Sequence, residues 1–417
     1  MFLPSSSIAS DLPGSPGFQA GSCGIPARLA AMGVQGRQGN GGQPRAKTGI
    51  PIYPEGEYPV KLPKVSLLGA RNDLPSPYGP GVSWGHLPQG RTWGSVASVS
   101  LGPDGTIWAA DRCGELGSGG TACIGKNVDI DPIFQFDTTG KLLKSFGKGL
   151  FVNVHKLSID RFGYLWVADN SGNQVFKLDQ YGKVLLTIGT KGVTGIGPYE
   201  FDGPTEVAVA PNGDIFVADG HNGGGTPKGN ARVVKFDKNG KFIMSFGHKG
   251  MGPGEFDQVH TLAFDSKAHL FVGDRQNNRI QVFTQDGKWL HTWYQWGRPS
   301  SIYIDKNDVM YVADSESRDG RTNSGEFQLN QTGYGYDAGA ARGVRIGSAE
   351  TGTVTSWIPD SCPYPYDSVS TMGEGAVADR DGNVYVGDFV GDVRKYRLLK
   401  AKVSTTAPAK PADTNKK

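Results

Sequence analysis

Short runs of alternating apolar and polar residues, broken every few positions by Asp, Asn, Gly and Lys, fill the middle of this chain. The stretch Val259–Phe283 carries the pattern whole. VHTLAF alternates, Asp265–Lys267 breaks it, HLFVGD resumes it, Gln276–Asn278 breaks it again, and RIQVF follows. Val, Ile and Phe at period two between turn residues predict three short half-buried strands. Most units add a further strand after a polar, Gly-containing turn: FDTTGKLLKSFG, LDQYGKVLLTIG, FDKNGKFIMSFG and FTQDGKWLHTWY.

The unit repeats. A small residue followed by Asp closes its second strand six times, at Ala110-Asp111, Ala168-Asp169, Ala218-Asp219, Gly273-Asp274, Ala313-Asp314 and Gly387-Asp388. Self-similarity at tens of residues, with several strands per repeat, predicts an all-β, six-bladed β-propeller. The predicted organisation is a disordered segment over 1–50, a lead-in over 51–94, the propeller over 95–398 and a disordered tail over 399–417. A ring must close, and Trp84–Trp93 or VSLLG at 65–69 is the candidate outer strand of blade six. Long insertions, Cys113–Asp131, HNGGGTPKGN and Ser317–Ala341, fall at blade loops, where function usually sits.

Composition narrows the classes. The 62 Gly and 26 Pro suit tight turns between strands, and a net charge of +3 with interspersed signs gives no footprint for nucleic acid or a membrane surface. No apolar run is long enough to span a membrane. A monomer acting on a small-molecule or peptide substrate is the expectation. The first residues, MFLPSSSIASDLPGSPGFQ, lack the basic start and apolar stretch of a secretory signal. The residues alone therefore leave either a cytoplasmic home or a different natural start.

Aligning the six units on their Asp exposes the channel. Fourteen residues upstream, where each innermost strand begins, stand Ala97, His155, Thr205, His260, Ser300 and Glu374. Innermost strands line a propeller's central channel, so one repeat position gives a ring of side chains at one depth. His155, His260 and Glu374 come from alternate blades and converge. Two imidazoles and a carboxylate with open faces suit a divalent metal, zinc foremost and iron next. The competing reading is hydrogen-bonded polar groups filling a wet channel.

Two neighbouring registers add chemistry. The residue after the Asp step is Arg112 in blade one and Arg275 in blade four, on the same face, where guanidiniums suit an anionic substrate. Surface arginines pairing with loop acids are the alternative. Cys113 and Cys123 share one Gly-rich loop and are candidates for a local disulfide, with two free thiols as the alternative; a zinc pair is disfavoured by the spacing.

FGKGLFVNVHKLSIDRFGYLWVADNSGNQVFKLD and VHTLAFDSKAHLFVGDRQNNRIQVF resemble NHL repeats, and specifically the peptidyl-α-hydroxyglycine α-amidating lyases, over roughly residues 95–396. The resemblance implies a zinc held by three channel histidines, two of which match His155 and His260. The third matches Glu374, a departure. Arg112 and Arg275 match the family's active-site arginines, and Met372 a methionine beside the third ligand. The family's catalytic tyrosine position holds His221 here, which becomes the candidate base. Its structural calcium would map to Val99, Leu157 and Gly375; with Gly in place of the Asp ligand, calcium is not expected. Together with the cysteines, the resemblance implies an extracytoplasmic, lyase-like enzyme. A non-catalytic propeller binding protein or glycan, and a metal-dependent lactonase or hydrolase, are the rivals.

Overall fold

In each repeat, successive side chains of a pleated strand point to opposite faces, so the alternating sequence loads apolar groups onto the sheet faces that meet the neighbouring sheets. The computed structural model describes residues 64–116, 121–225, 228–317, 337, 339–360, 373–388 and 391–399. By contacts the chain divides into Met1–Pro59 and Val60–Lys417, and the first unit lies outside the described residues. So do the tail beyond residue 399, most of the blade-five insertion, and Met372.

Among the described residues, six four-stranded antiparallel sheets form a six-bladed β-propeller, and no α-helix occurs. No helix is long and apolar enough to cross a membrane. Blade two is typical: Val154–Ile159, Leu165–Asp169, Gln174–Leu178 and Val184–Ile188 follow one another from the inside outward. Cores form between sheets. Trp108, Ala110 and Ile133 of blade one pack on Val154, Leu157, Leu165 and Val167 of blade two. Burial of each large apolar side chain there contributes about 1.5–3 kcal/mol.

The ring closes through Val82–Trp84, which pairs antiparallel with Asp392–Tyr396 as the outermost strand of blade six. This strand ends on Trp84, the first residue of the Trp84–Trp93 candidate, and lies apart from 65–69. Trp84 anchors it against Tyr385 and Phe136, with ring centroids 4.8 and 5.4 Å away.

Each repeated Asp is buried, and five of the six latch a backbone N–H among the described residues. Asp111, Asp169, Asp219 and Asp274 accept the backbone N–H of the residue 17 positions earlier, Gly94, Val152, Asp202 and Asp257, and Asp314 accepts that of Arg298. The carboxylate thereby fixes the loop that leads into the innermost strand. An arginine compensates five of them: Arg91, Arg232, Arg279, Arg345 and Arg394.

Four of the six innermost strands share one irregularity. Their register shifts between Val96 and Ser98, Val154 and Lys156, Pro204 and Glu206, and Val259 and Thr261. The extra residue is Ala97, His155, Thr205 or His260. A β-bulge re-aims the side chain of its unpaired residue, and here the bulge falls on the channel register in four consecutive blades.

Candidate metal centre

His155 and His260 are the bulged residues of blades two and four, both buried. His155 Nδ1 lies 3.0 Å from the Thr205 carbonyl, and His260 Nδ1 2.8 Å from that of Ser300. A carbonyl can only accept, so Nδ1 carries the proton in both rings and Nε2 presents a lone pair. The intervening blades thus orient the imidazoles through their own register residues. Neither buried Nε2 has a hydrogen-bond partner. Leaving such an atom unpaired costs about 1–3 kcal/mol, and both point at the Glu374 carboxylate, 3.7 Å from His155 and 3.6 Å from His260. Those distances are too long for hydrogen bonds.

Glu374 is held from behind. Arg112 donates to Oε2 at 3.0 Å and Arg275 to Oε1 at 3.1 Å, while the Lys156 ammonium donates to its main-chain carbonyl. Burial alone would raise this carboxyl, but the charges beside it, His155 when protonated and Arg112 permanently, hold it well below the ordinary carboxylate range. The histidines move the other way. Burial pulls His155, His221 and His260 well below 6.5, so all three are neutral at neutral pH.

His221 joins the group from blade three. Its ring centroid lies 4.8 Å from that of His155 and 5.5 Å from that of His260, and one ligand atom from each of the three rings lies within 4.8 Å of the others. Arg275 donates to its Nε2 at 3.2 Å. The buried Gln258 ties the two together, donating to the His221 carbonyl at 3.0 Å and accepting from Arg275 Nε at 2.9 Å. Farther out, Glu316 contacts Arg275 and Arg298, each at 3.3 Å.

The predicted residues His155, His260, Glu374, Arg112, Arg275 and His221 therefore meet at one end of the channel; Met372 lies outside the described residues. Lys156, Gln258 and Glu316 were not singled out by the sequence. Lys156 had a signal, a cation inside an apolar strand directly after a register histidine; Gln258 had none. Cys113 and Cys123 form a disulfide with Cα atoms 5.2 Å apart, closing the loop directly after Arg112. The donor set fits a divalent metal: neutral imidazoles with inward lone pairs and an ionised carboxylate suit Zn²⁺ or Fe²⁺ better than all-oxygen cations such as Ca²⁺ or Mg²⁺.

A family described as a 6-bladed beta-propeller matches residues 227–292. The peptidyl-glycine alpha-amidating monooxygenase of Mus musculus is 39% identical over 288 residues, 66% of this chain and 27% of that protein. The chain resembles the amidating lyases. A probable peptidyl-alpha-hydroxyglycine alpha-amidating lyase of Caenorhabditis elegans is 38% identical over 148 residues, 34% of this chain and 40% of that one. The matches thus cover well under half the length of each of these two relatives. Among solved structures, a gluconolactonase from Xanthomonas campestris superposes with a TM-score of 0.49 at 13% identity, covering 77% of this chain and 98% of that one; a likeness of that size carries no argument about chemistry.

Proposed function

We propose that this chain is a metal-dependent lyase of the amidating type, cleaving an N–C bond in a small substrate that carries a hydroxyl and a carboxylate. The observation that carries the reading is the pair of buried, partnerless Nε2 atoms of His155 and His260, aimed at an ionised Glu374 between two arginines. His155, His260 and Glu374 would hold the metal. When bound, it supplies a Lewis acid for a substrate hydroxyl or carbonyl oxygen.

The relatives' name specifies an α-hydroxyglycine linked through nitrogen to a peptide. In such a carbinolamide the O–H electrons become the C=O bond, the C–N electrons leave with nitrogen, and the hydroxyl proton ends on that nitrogen. The products are a peptide amide and glyoxylate. Arg112 and Arg275 orient the substrate carboxylate: a guanidinium has five N–H donors, so each can serve Glu374 and a second anion together. The Cys113–Cys123 disulfide supports a home in an oxidising, extracytoplasmic compartment.

The test is a peptidyl-α-hydroxyglycine incubated with protein purified without chelator, with amide and glyoxylate followed as products. Stoichiometric metal and turnover, both lost in His155→Ala and His260→Ala, are expected. Absence of metal from the folded parent would replace the enzyme with a binding propeller. Metal without turnover would keep the centre and reject this substrate.

A further inference from the structure

We propose that His221 is a metal ligand, making the centre a four-donor set of three imidazoles and one carboxylate: His155, His221, His260 and Glu374. The inference rests on the metal-dependent reading above and changes what that centre is. Blade three contributes to the channel twice. Its register residue Thr205 orients His155 through its carbonyl, while His221, two residues beyond the Asp latch, brings a third imidazole to the same point.

The local backbone is built for that delivery. Gly220 has φ +135°, and a Cβ there would lie 2.0 Å from the Asn230 carbonyl oxygen, so only glycine lets the chain turn inward at this step. The His221 N–H donates to the Gly203 carbonyl at 3.1 Å, and Gln258 holds its carbonyl. The residue is fixed on both sides of its Cα, as expected of a group whose ring position matters.

Arg275 supplies the second argument. One of its nitrogens donates to Glu374 Oε1 at 3.1 Å and another to His221 Nε2 at 3.2 Å. A single planar cation thus gathers a carboxylate oxygen and an imidazole lone pair, the two atom types a divalent cation would gather. The His221 nitrogen that accepts is the one a metal would use. A ring whose lone pair is given to a metal cannot also take a proton, so the same atom cannot serve as base.

The donor count has a consequence for the metal. Four protein donors fill a tetrahedron, which would close Zn²⁺ off from substrate, whereas a metal that accepts five or six ligands keeps open positions. The site is therefore suited to an Fe²⁺-like ion in a working enzyme, with three neutral nitrogens and one oxygen as the recognising chemistry.

The test is Co²⁺ binding to chelator-treated full-length protein, with affinity from competition and geometry from the visible absorption of the bound ion. Parent, His221→Ala, His221→Gln and His155→Ala are compared, with circular dichroism confirming the fold of each. If His221 is a ligand, both His221 variants bind Co²⁺ more than about 100-fold more weakly than the parent, beyond the 10–100-fold typical of losing an outer-shell partner. Their Co²⁺ spectra also shift. An unchanged spectrum with affinity within a few-fold of the parent overturns the proposal while leaving the metal reading intact, because His155→Ala still loses Co²⁺. A folded parent that takes up no Co²⁺ overturns both.

Discussion

Arg112 donates to Glu374 across 3.0 Å, although 262 residues separate them in the chain. They belong to blades one and six, which are neighbours only because the ring closes. The closure is therefore pinned at the channel by this ion pair and at the periphery by the Val82–Trp84 strand. Both side chains are buried, and Glu374 keeps Arg275 when Arg112 is removed, so the loss costs less than the penalty of about 3–5 kcal/mol for a stranded buried charge. Arg112→Met should lower the melting temperature markedly, and adding Glu374→Met should restore part of it. A double-mutant cycle on metal-stripped protein measures the coupling; independent, additive effects would show that the pair does not hold the closure.

Acid should weaken the metal-stripped protein through its channel histidines. Burial pulls His260 well below 6.5. As pH falls through 6.5, the unfolded chain takes up a proton that the folded site refuses. The unfolded state then binds more protons, and stability falls with pH by up to about 1.4 kcal/mol per unit for one such group. The buried Asp219, raised to about 6, has the opposite sign, but it is common to parent and variant. The stability difference between His260→Gln and parent should therefore be flat above pH 6.5 and move against the parent below it. Denaturant unfolding at several pH values reads this; a flat difference down to pH 5 would mean His260 is not held neutral.

The blade count was legible because the Asp step is written six times in the sequence. Its purpose was not, since the N–H groups held by residues such as Asp111 and Asp314 lie 17 and 16 positions earlier, across a loop. The channel register picked out His155, His260 and Glu374 because one repeat position maps to one depth. The bulge that turns the two histidines inward leaves no mark in the alternation, since it adds one residue at the strand's start. His221 escaped the register as a ligand because it sits one position beyond Arg112 and Arg275, reached through the left-handed Gly220. Gln258 and Glu316 gain their meaning only from groups distant in sequence, Gln258 from Arg275 and the His221 carbonyl, Glu316 from Arg275 and Arg298.

The Cys113–Cys123 disulfide closes a short loop whose first cysteine follows Arg112. Cross-linking a loop of this size removes unfolded-state entropy worth about 2–3 kcal/mol. Peptide mapping without reduction should recover the two cysteines linked. Cys113→Ser with Cys123→Ser should lower the melting temperature and leave blades two to five unchanged in hydrogen exchange. Recovery of two free thiols from protein made in an oxidising compartment would remove this support for an extracytoplasmic home.

The channel beyond the histidines should need no calcium. Lys156, fully buried, donates to the Glu374 carbonyl and is drawn to Glu206, whose Oε2 accepts the Leu262 N–H at 2.9 Å. An ammonium thus stands on the channel wall beside the positions that resemblance would give to calcium. Those positions are otherwise engaged. The Leu157 carbonyl accepts from Ser98 at 2.8 Å and Ser100 at 2.5 Å, and a Cβ at Gly375 would lie 2.4 Å from the Val99 nitrogen. No Asp fits at 375 without moving that backbone. Burial lowers the Lys156 pKa and raises that of Glu206, and the attraction between the two opposes both shifts. Lys156→Met should therefore cost about 3–5 kcal/mol, the penalty for leaving Glu206 buried alone. Lys156→Met with Glu206→Gln should recover much of it. Addition of Ca²⁺ should leave the parent's melting temperature where it is. A rise of several degrees with Ca²⁺, lost on adding a calcium chelator, would show that the lysine has not taken the cation's place.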